Sequence, residues 1–276
     1  MKRIFIVGTA RSGTTLVQSL LSGHPDVFSL PETHFFAYSI PKKKYLRLFH
    51  RPSEKQIDKI GKLMKSMELD LHFSPIESDR RNLNQWTKYF LNFMDEKTRD
   101  KQCKAWIEKT PMHLHYIDLI RKNCPDCYFI HTLREPKANI SALYSVSKEH
   151  PTAFKQASLE KAIKRYRTEL KISEGYFGQK NHLHLHYEDV VLKPKETIAQ
   201  SLQFLGLDAD NLLENYQKEA ANISLASENW KSNNQKDLKL EDKVKERLTD
   251  AEYEQLKQSL KSLKSPLLAA YEDFNS

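Results

Sequence analysis

The sequence predicts a three-layer α/β domain, a central parallel sheet with helices on both faces and a P-loop-like turn after the first strand. Three observations predict it. Four short apolar or aromatic runs, Ile4–Gly8, Lys104–Ile107, Tyr128–Leu133 and Leu183–Tyr187, are spaced along the chain as strands. Three of them run straight into segments of helical periodicity, the alternation that builds parallel sheets with crossover helices. The first run ends in a turn bounded by Gly8 and Gly13, and a helix follows at once.

Taken in order, the first helix carries the pairs Leu16, Leu20 and Val17, Leu21 on one face. Asn82 is placed to cap a helix that presents Leu83, Trp86, Phe90 and Phe93. Leu159, Ile163, Tyr166 and Leu170 mark a later amphipathic helix. Pro194 suits the first turn of another that runs through Ile198, Leu202 and Leu205. The stretch Asn222–Lys239 is polar and irregular and reads as a loop. With only seven glycines there is no Gly/Ser linker, and no segment repeats, so residues 1–276 form one expected domain.

Composition narrows the class. At 39% hydrophobic and 29% charged, the chain is neither disordered nor a membrane bundle. It offers no apolar run of the length a spanning helix needs. Met1-Lys2-Arg3 leads into only five apolar or small residues, so neither a transmembrane segment nor a secretory signal is expected. Three cysteines make no disulfide framework, and a reducing, cytoplasmic setting is expected. Cys124 and Cys127 read as two buried thiols where a helix ends and a strand begins, since no second pair at zinc spacing accompanies them. A net charge of +8 suits an anionic ligand. No nucleic-acid polymer is expected as a partner.

The informative segment is Gly8-Thr9-Ala10-Arg11-Ser12-Gly13-Thr14-Thr15. A turn feeding a helix in this way aims backbone N–H groups and the positive helix end at one point, an anion cradle. Thr14 stands where a nucleotide-hydrolysing P-loop places its lysine, which would reach the terminal phosphates. No strand-end Asp stands in a convincing position to hold magnesium with a loop hydroxyl.

Continuing through His24-Pro25 and Pro31-Glu32-Thr33-His34-Phe35-Phe36, this stretch resembles the 5′-phosphosulfate loop of sulfotransferases that use 3′-phosphoadenosine 5′-phosphosulfate (PAPS). Glu108-Lys109-Thr110-Pro111 resembles the second active-site segment of that family, and Phe129 to Pro136 its 3′-phosphate strand and turn. Tyr187-Glu188-Asp189, Pro194 and Phe204-Leu205-Gly206 match its later segment and helix. The resemblance is strongest to the Golgi-type and bacterial branch, with tyrosylprotein and heparan sulfotransferases. It implies PAPS as co-substrate, 3′,5′-bisphosphoadenosine (PAP) as product, no required metal, and a hydroxyl acceptor, with a glycan favoured.

By the same resemblance, Glu32 is the general base, and Arg11 and Lys109 are the cations that meet the migrating group and the bridging oxygen. Ser12, Gly13, Thr14 and Thr15 hold the 5′ side. Arg134 takes the 3′-phosphate and Tyr187 lies against the nucleotide. The family's second 3′-phosphate donor falls on Ala142 here, so Ser141, one position early, is the substitute. Residues 42–103 and 207–276 match no motif, apart from a faint likeness at Trp230-Lys231. Two rival readings remain at this point: a P-loop kinase or nucleotide hydrolase, and a non-catalytic nucleotide- or polyanion-binding module.

His182, His184 and His186 alternate along one strand face, but no neighbour completes a metal site, and the same holds for His113 and His115. The basic runs Lys42-Lys43-Lys44 with Arg47 and Arg51, and Arg80-Arg81, suit either a polyanionic acceptor or a solvated face.

Overall fold

The structure is a computed structural model that describes residues 1–69, 82–151, 158–208 and 238–269. Five strands, β1 (Lys2–Gly8), β2 (Val27–Ser29), β3 (Ala105–Lys109), β4 (Tyr128–Leu133) and β5 (His182–His186), form one sheet in the order β2-β3-β1-β4-β5. Every neighbouring pair is parallel. Parallel neighbours need crossover connections, and nine labelled helices follow in chain order: α1 (Thr14–Ser22), α2 (Phe35–Ser39), α3 (Glu54–Lys65), α4 (Leu83–Asp100), α5 (Ile117–Asn123), α6 (Pro136–Glu149), α7 (Leu159–Glu174), α8 (Tyr187–Leu192) and α9 (Pro194–Leu205).

Side chains alternate across a strand, and the sheet sorts its two faces by that rule. Phe5, Val7, Trp106 and Phe129 point to an aromatic face covered by α2, α3, α4 and α5. Ile4, Ile6, Ile107 and Ile130 point to an aliphatic face covered by α1, α8 and α9. A third cluster packs α6 and α7 against the segment holding the helices Val244–Arg247 and Asp250–Leu260. On the aromatic face Phe35 stacks on Trp86 and Phe90, with ring centroids 4.8 and 4.4 Å apart. The Trp86 indole N–H donates to Ser39 Oγ at 2.8 Å. These contacts fix α2, and with it the chain just before it, which carries Glu32.

The expected caps are in place. Asn82 Oδ1 accepts from Gln85 N at 3.0 Å. Pro194 opens α9, and Gly206 closes it at φ 61°, the left-handed conformation a helix C-terminus favours.

Four features correct or extend the sequence reading. The edge strand β2 has only three residues, too short for a periodic signal. Strand β3 runs on to Lys109, past the expected end at Ile107. Tyr187 begins α8 and does not close the preceding strand. Cys124 and Cys127 are buried as expected but are disulfide-bonded, not two thiols. The turn over Pro125-Asp126 brings their Cα atoms to 5.5 Å, within bridging reach. Arg80-Arg81, Trp230-Lys231 and nearly all of the loop expected over Asn222–Lys239 lie outside the described residues.

Candidate functional site

The carboxyl end of the sheet gathers the predicted residues, each from a different strand. The loop Gly8–Thr15 leaves β1, Glu32 follows β2, Lys109 ends β3, Arg134 follows β4 and Tyr187 follows β5. Helix α1 leaves β1 on the aliphatic face, whereas α5 follows β3 on the aromatic face. Connections that diverge in this way open a crevice at the strand ends, the usual ligand position in such sheets.

The loop is built for close approach. A Cβ on Gly13 (φ 94°) would lie 2.4 Å from Tyr187 Cδ2, and one on Gly8 would lie 2.6 Å from the Thr132 carbonyl oxygen. Arg11 itself adopts φ 70°, a left-handed geometry that costs energy outside glycine and is held only where neighbours impose it. Ser12 N donates to Thr9 O at 3.1 Å, and Ser12 Oγ shares a 2.6 Å hydrogen bond with Thr132 Oγ1. Gly13 provides no side-chain cap for α1, so the first amides of that helix face the loop.

At one end of the crevice Lys109 is fully buried, and its Nζ donates to Glu32 Oε1 at 2.5 Å and to Thr15 Oγ1 at 3.0 Å. His34 Nε2 lies 3.5 Å from the other Glu32 oxygen. The register of this pair depends on a residue to which the sequence reading gave no role, Glu108. Its buried carboxylate accepts from Thr33 Oγ1 (2.8 Å), Thr110 Oγ1 (2.7 Å) and the His113 ring (2.6 Å). Thr33 adjoins Glu32 and Thr110 adjoins Lys109, so Glu108 ties the two functional backbones together. Burial opposes its ionisation, but the His113 ring and both hydroxyls hold it below the usual carboxylate range. The available signal was the Glu-Lys pair inside a strand otherwise buried on both faces.

At the other end three arginines lie close enough for each charge to act on the others. Burial, and then the like charges of Arg134 and Arg247, lower the Arg11 pKa to about 10. Burial, and then Arg134, lower that of Arg247 as well. Arg134 lies 4.5 Å over the Tyr187 ring and donates to the Arg11 carbonyl at 3.3 Å. The buried Nε of Arg134 and the buried terminal nitrogen Nη1 of Arg247 have no hydrogen-bond partner among the described residues. Glu135 spends its carboxylate on Ala138 N at 2.6 Å, capping α6. Ser141 is buried in α6 and its hydroxyl donates to Ala138 O at 3.2 Å. Arg247, in a region without any matched motif, is therefore a candidate that sequence reading missed. Nothing local marks it, because its partners are more than a hundred residues away in sequence.

The singled-out histidines and Lys42 have structural partners. His131 Nε2 and His182 Nδ1 share a 2.9 Å hydrogen bond, and His184 stacks on His131 at 4.4 Å. Glu169, fully buried, is met by Arg165 (3.0 Å), His115 (3.2 Å) and Lys42 (3.6 Å). Among the described residues no group of three His, Cys, Asp or Glu side chains could hold a metal ion. No helix among them is long and apolar enough to cross a membrane.

A parallel sheet with an uncapped loop-to-helix turn at its central strand, and cations gathered on the same edge, defines a P-loop-like α/β protein. The model of the sulfotransferase family matches residues 3–211, and the chain belongs to that family. It is 25% identical to a protein-tyrosine sulfotransferase of Drosophila melanogaster over 208 residues, 74% of this chain and 38% of the relative. It is 24% identical to protein-tyrosine sulfotransferase A of Caenorhabditis elegans over 228 residues, 81% and 55% respectively. The chain thus spans roughly 40 to 55% of the length of these curated relatives. Among solved structures, mouse sulfotransferase SULT7A1 complexed with PAP shares the fold at a TM-score of 0.55 and 13% identity, covering 100% of this chain and 90% of that one. The sulfotransferase domain of the Synechococcus PCC 7002 olefin synthase does so at 0.52 and 19%, covering 100% and 95%.

Proposed function

We propose that the protein transfers a sulfuryl group from PAPS to an acceptor hydroxyl, with Glu32 as general base. The observation that carries this reading is the buried Lys109–Glu32 pair, 2.5 Å apart, beside an anion loop that has Thr14 where a phosphoryl-transfer loop needs lysine. In the reaction the acceptor O–H gives its proton to Glu32 while its oxygen forms the new bond to sulfur. The bond from sulfur to the 5′-phosphate oxygen breaks, and PAP leaves with that electron pair. Proton uptake neutralises Glu32 as negative charge grows on the leaving oxygen, so the Lys109 charge is released toward that oxygen when it is needed there. The loop amides and Ser12, Gly13, Thr14 and Thr15 hold the 5′ side. Arg134 and Arg247 take the 3′-phosphate, with Arg11 beside them and Tyr187 packed on the nucleotide. Arg247 replaces the donor expected of Ser141.

The names of the relatives support a tyrosyl phenol as acceptor ahead of the glycan expected from sequence. The test incubates the protein with sulfur-labelled PAPS in excess chelator and a panel of tyrosine peptides, glycans, lipids and phenols. Label is expected on the tyrosine peptide; label on a glycan alone restores the earlier preference. In parallel, PAP with chelator should raise the unfolding temperature more than ATP with magnesium, by mass action on the folded state. No labelled product together with the reverse order of stabilisation would sink the sulfotransferase reading.

A further inference from the structure

Of eight exposed large apolar side chains among the described residues, four fall within five residues: Tyr45 (72% exposed), Leu46 (52%), Leu48 (78%) and Phe49 (90%). Scattered exposed apolar residues are ordinary, but a cluster this dense marks an interaction surface. The cluster does not belong to a loose loop. Arg47 donates to the carbonyls of Pro41 (2.7 Å), Lys42 (2.8 Å) and His115 (2.9 Å), and its guanidinium lies 4.4 Å over the Tyr116 ring. His50 Nε2 meets Ser39 O at 2.7 Å, and Lys44 pairs with Asp118. Arg47 and His50 hold the base of the turn while the four apolar side chains project from it.

We propose that residues 42–51 dock the protein on an anionic lipid bilayer. A phenylalanine that is 90% exposed stands on a knob, not in a groove. A rigid protein partner would need a pocket shaped to that knob, whereas a bilayer interface deforms around it. The charge is complementary: Lys43 and Arg51 are exposed on either side of the apolar residues, while Lys55 further on stands beside the exposed Glu54, and the chain carries +8 overall. Apolar side chains enter the boundary between headgroups and acyl chains, and the flanking cations stay at the level of anionic headgroups. A single turn penetrates only that boundary, so the attachment is peripheral and reversible. It does not depend on the sulfotransferase reading.

The test is co-sedimentation of the full chain with vesicles of phosphatidylcholine alone, and of phosphatidylcholine and phosphatidylglycerol in equal parts. Binding is expected to the mixed vesicles, weaker at high salt and slight to the neutral ones. Leu48→Ser with Phe49→Ser should lower partitioning at least about tenfold. Lys43→Gln and Arg51→Gln should each lower it about fivefold. All four positions are exposed, so the unfolding midpoint should not move, and the charge variants test the surface independently of the apolar ones. The proposal is overturned if mixed vesicles do not sediment the protein, or if either set of variants binds like the parent. It is also overturned if light scattering finds a dimer that the apolar variant dissolves, since the knob would then belong to a second copy.

Discussion

The two ends of the crevice solve opposite electrostatic problems. At the Glu32–Lys109 end, opposite charges are already paired at 2.5 Å and their backbones are tied by Glu108. At the arginine end, like charges are held together against their repulsion, which helps to lower the Arg11 pKa to about 10. The first end is already paired before any ligand arrives, and the role proposed for it is to take up a proton. The second gathers three arginines that only the more weakly acting Glu149, Glu246 and Asp242 offset among the described residues, and an anionic ligand would add to that offset. Damage at the first should therefore appear in turnover, and damage at the second in affinity.

The largest expected effect tests the first end. Glu32→Gln keeps the shape and an acceptor for Lys109 but removes the proposed base, so turnover should fall about 10²–10⁴-fold with little change in PAP affinity. Near-normal turnover would move the base elsewhere, and loss of PAP binding would erase the distinction between the ends. Next comes the tie itself. Glu108→Gln removes a buried charge whose three donors remain, at a cost of about 3 kcal/mol, or roughly 6–12 °C in unfolding temperature. Turnover of the folded fraction should drop more than PAP affinity. Equal losses in both would mean that Glu108 supports the whole fold and not this corner.

At the arginine end, Arg134→Ala should cost about 1.5–3 kcal/mol, roughly 10- to 150-fold in PAP affinity, and leave adenosine 5′-phosphate almost unaffected. Arg247→Ala should act in the same direction by a smaller factor. If both nucleotides weaken equally by calorimetric titration, the 3′-phosphate assignment fails.

The smallest effect concerns the strands under the arginine end. Burial, reinforced by neighbouring imidazoles, pushes His131 well below its usual pKa, and burial with nearby positive charge brings His182 down to about 4. Both stay neutral in the folded chain, while the unfolded chain takes up protons from about pH 6.5 downward. Their contribution is complete above about pH 6.5 and is lost as pH falls toward 4, so the unfolding temperature should drop between pH 7.5 and 5, by about 4–8 °C from His182 alone. A transition insensitive to acid in this interval would mean that the imidazoles are already charged in the fold.

Much of this protein is written locally. Alternation and length marked four of the five strands, because a strand buried on both faces must be apolar. Asn82 and Pro194 marked helix starts, because a cap is a contact within one turn. The loop Gly8–Thr15 was legible for the same reason: its left-handed backbone at Gly13 is a property of neighbouring residues. What the tertiary structure alone decided is which distant charges meet. Lys109 and Glu32 are 77 residues apart, Thr33 and Glu108 are 75 apart, and Arg247 reaches Arg11 and Arg134 from a segment with no motif of its own. Such meetings follow from strand order and from the closure of long connections, which no local pattern encodes. The pairing of Cys124 with Cys127 was close in sequence yet equally hidden, since bridging depends on how the turn over Pro125 aims two side chains and not on their spacing.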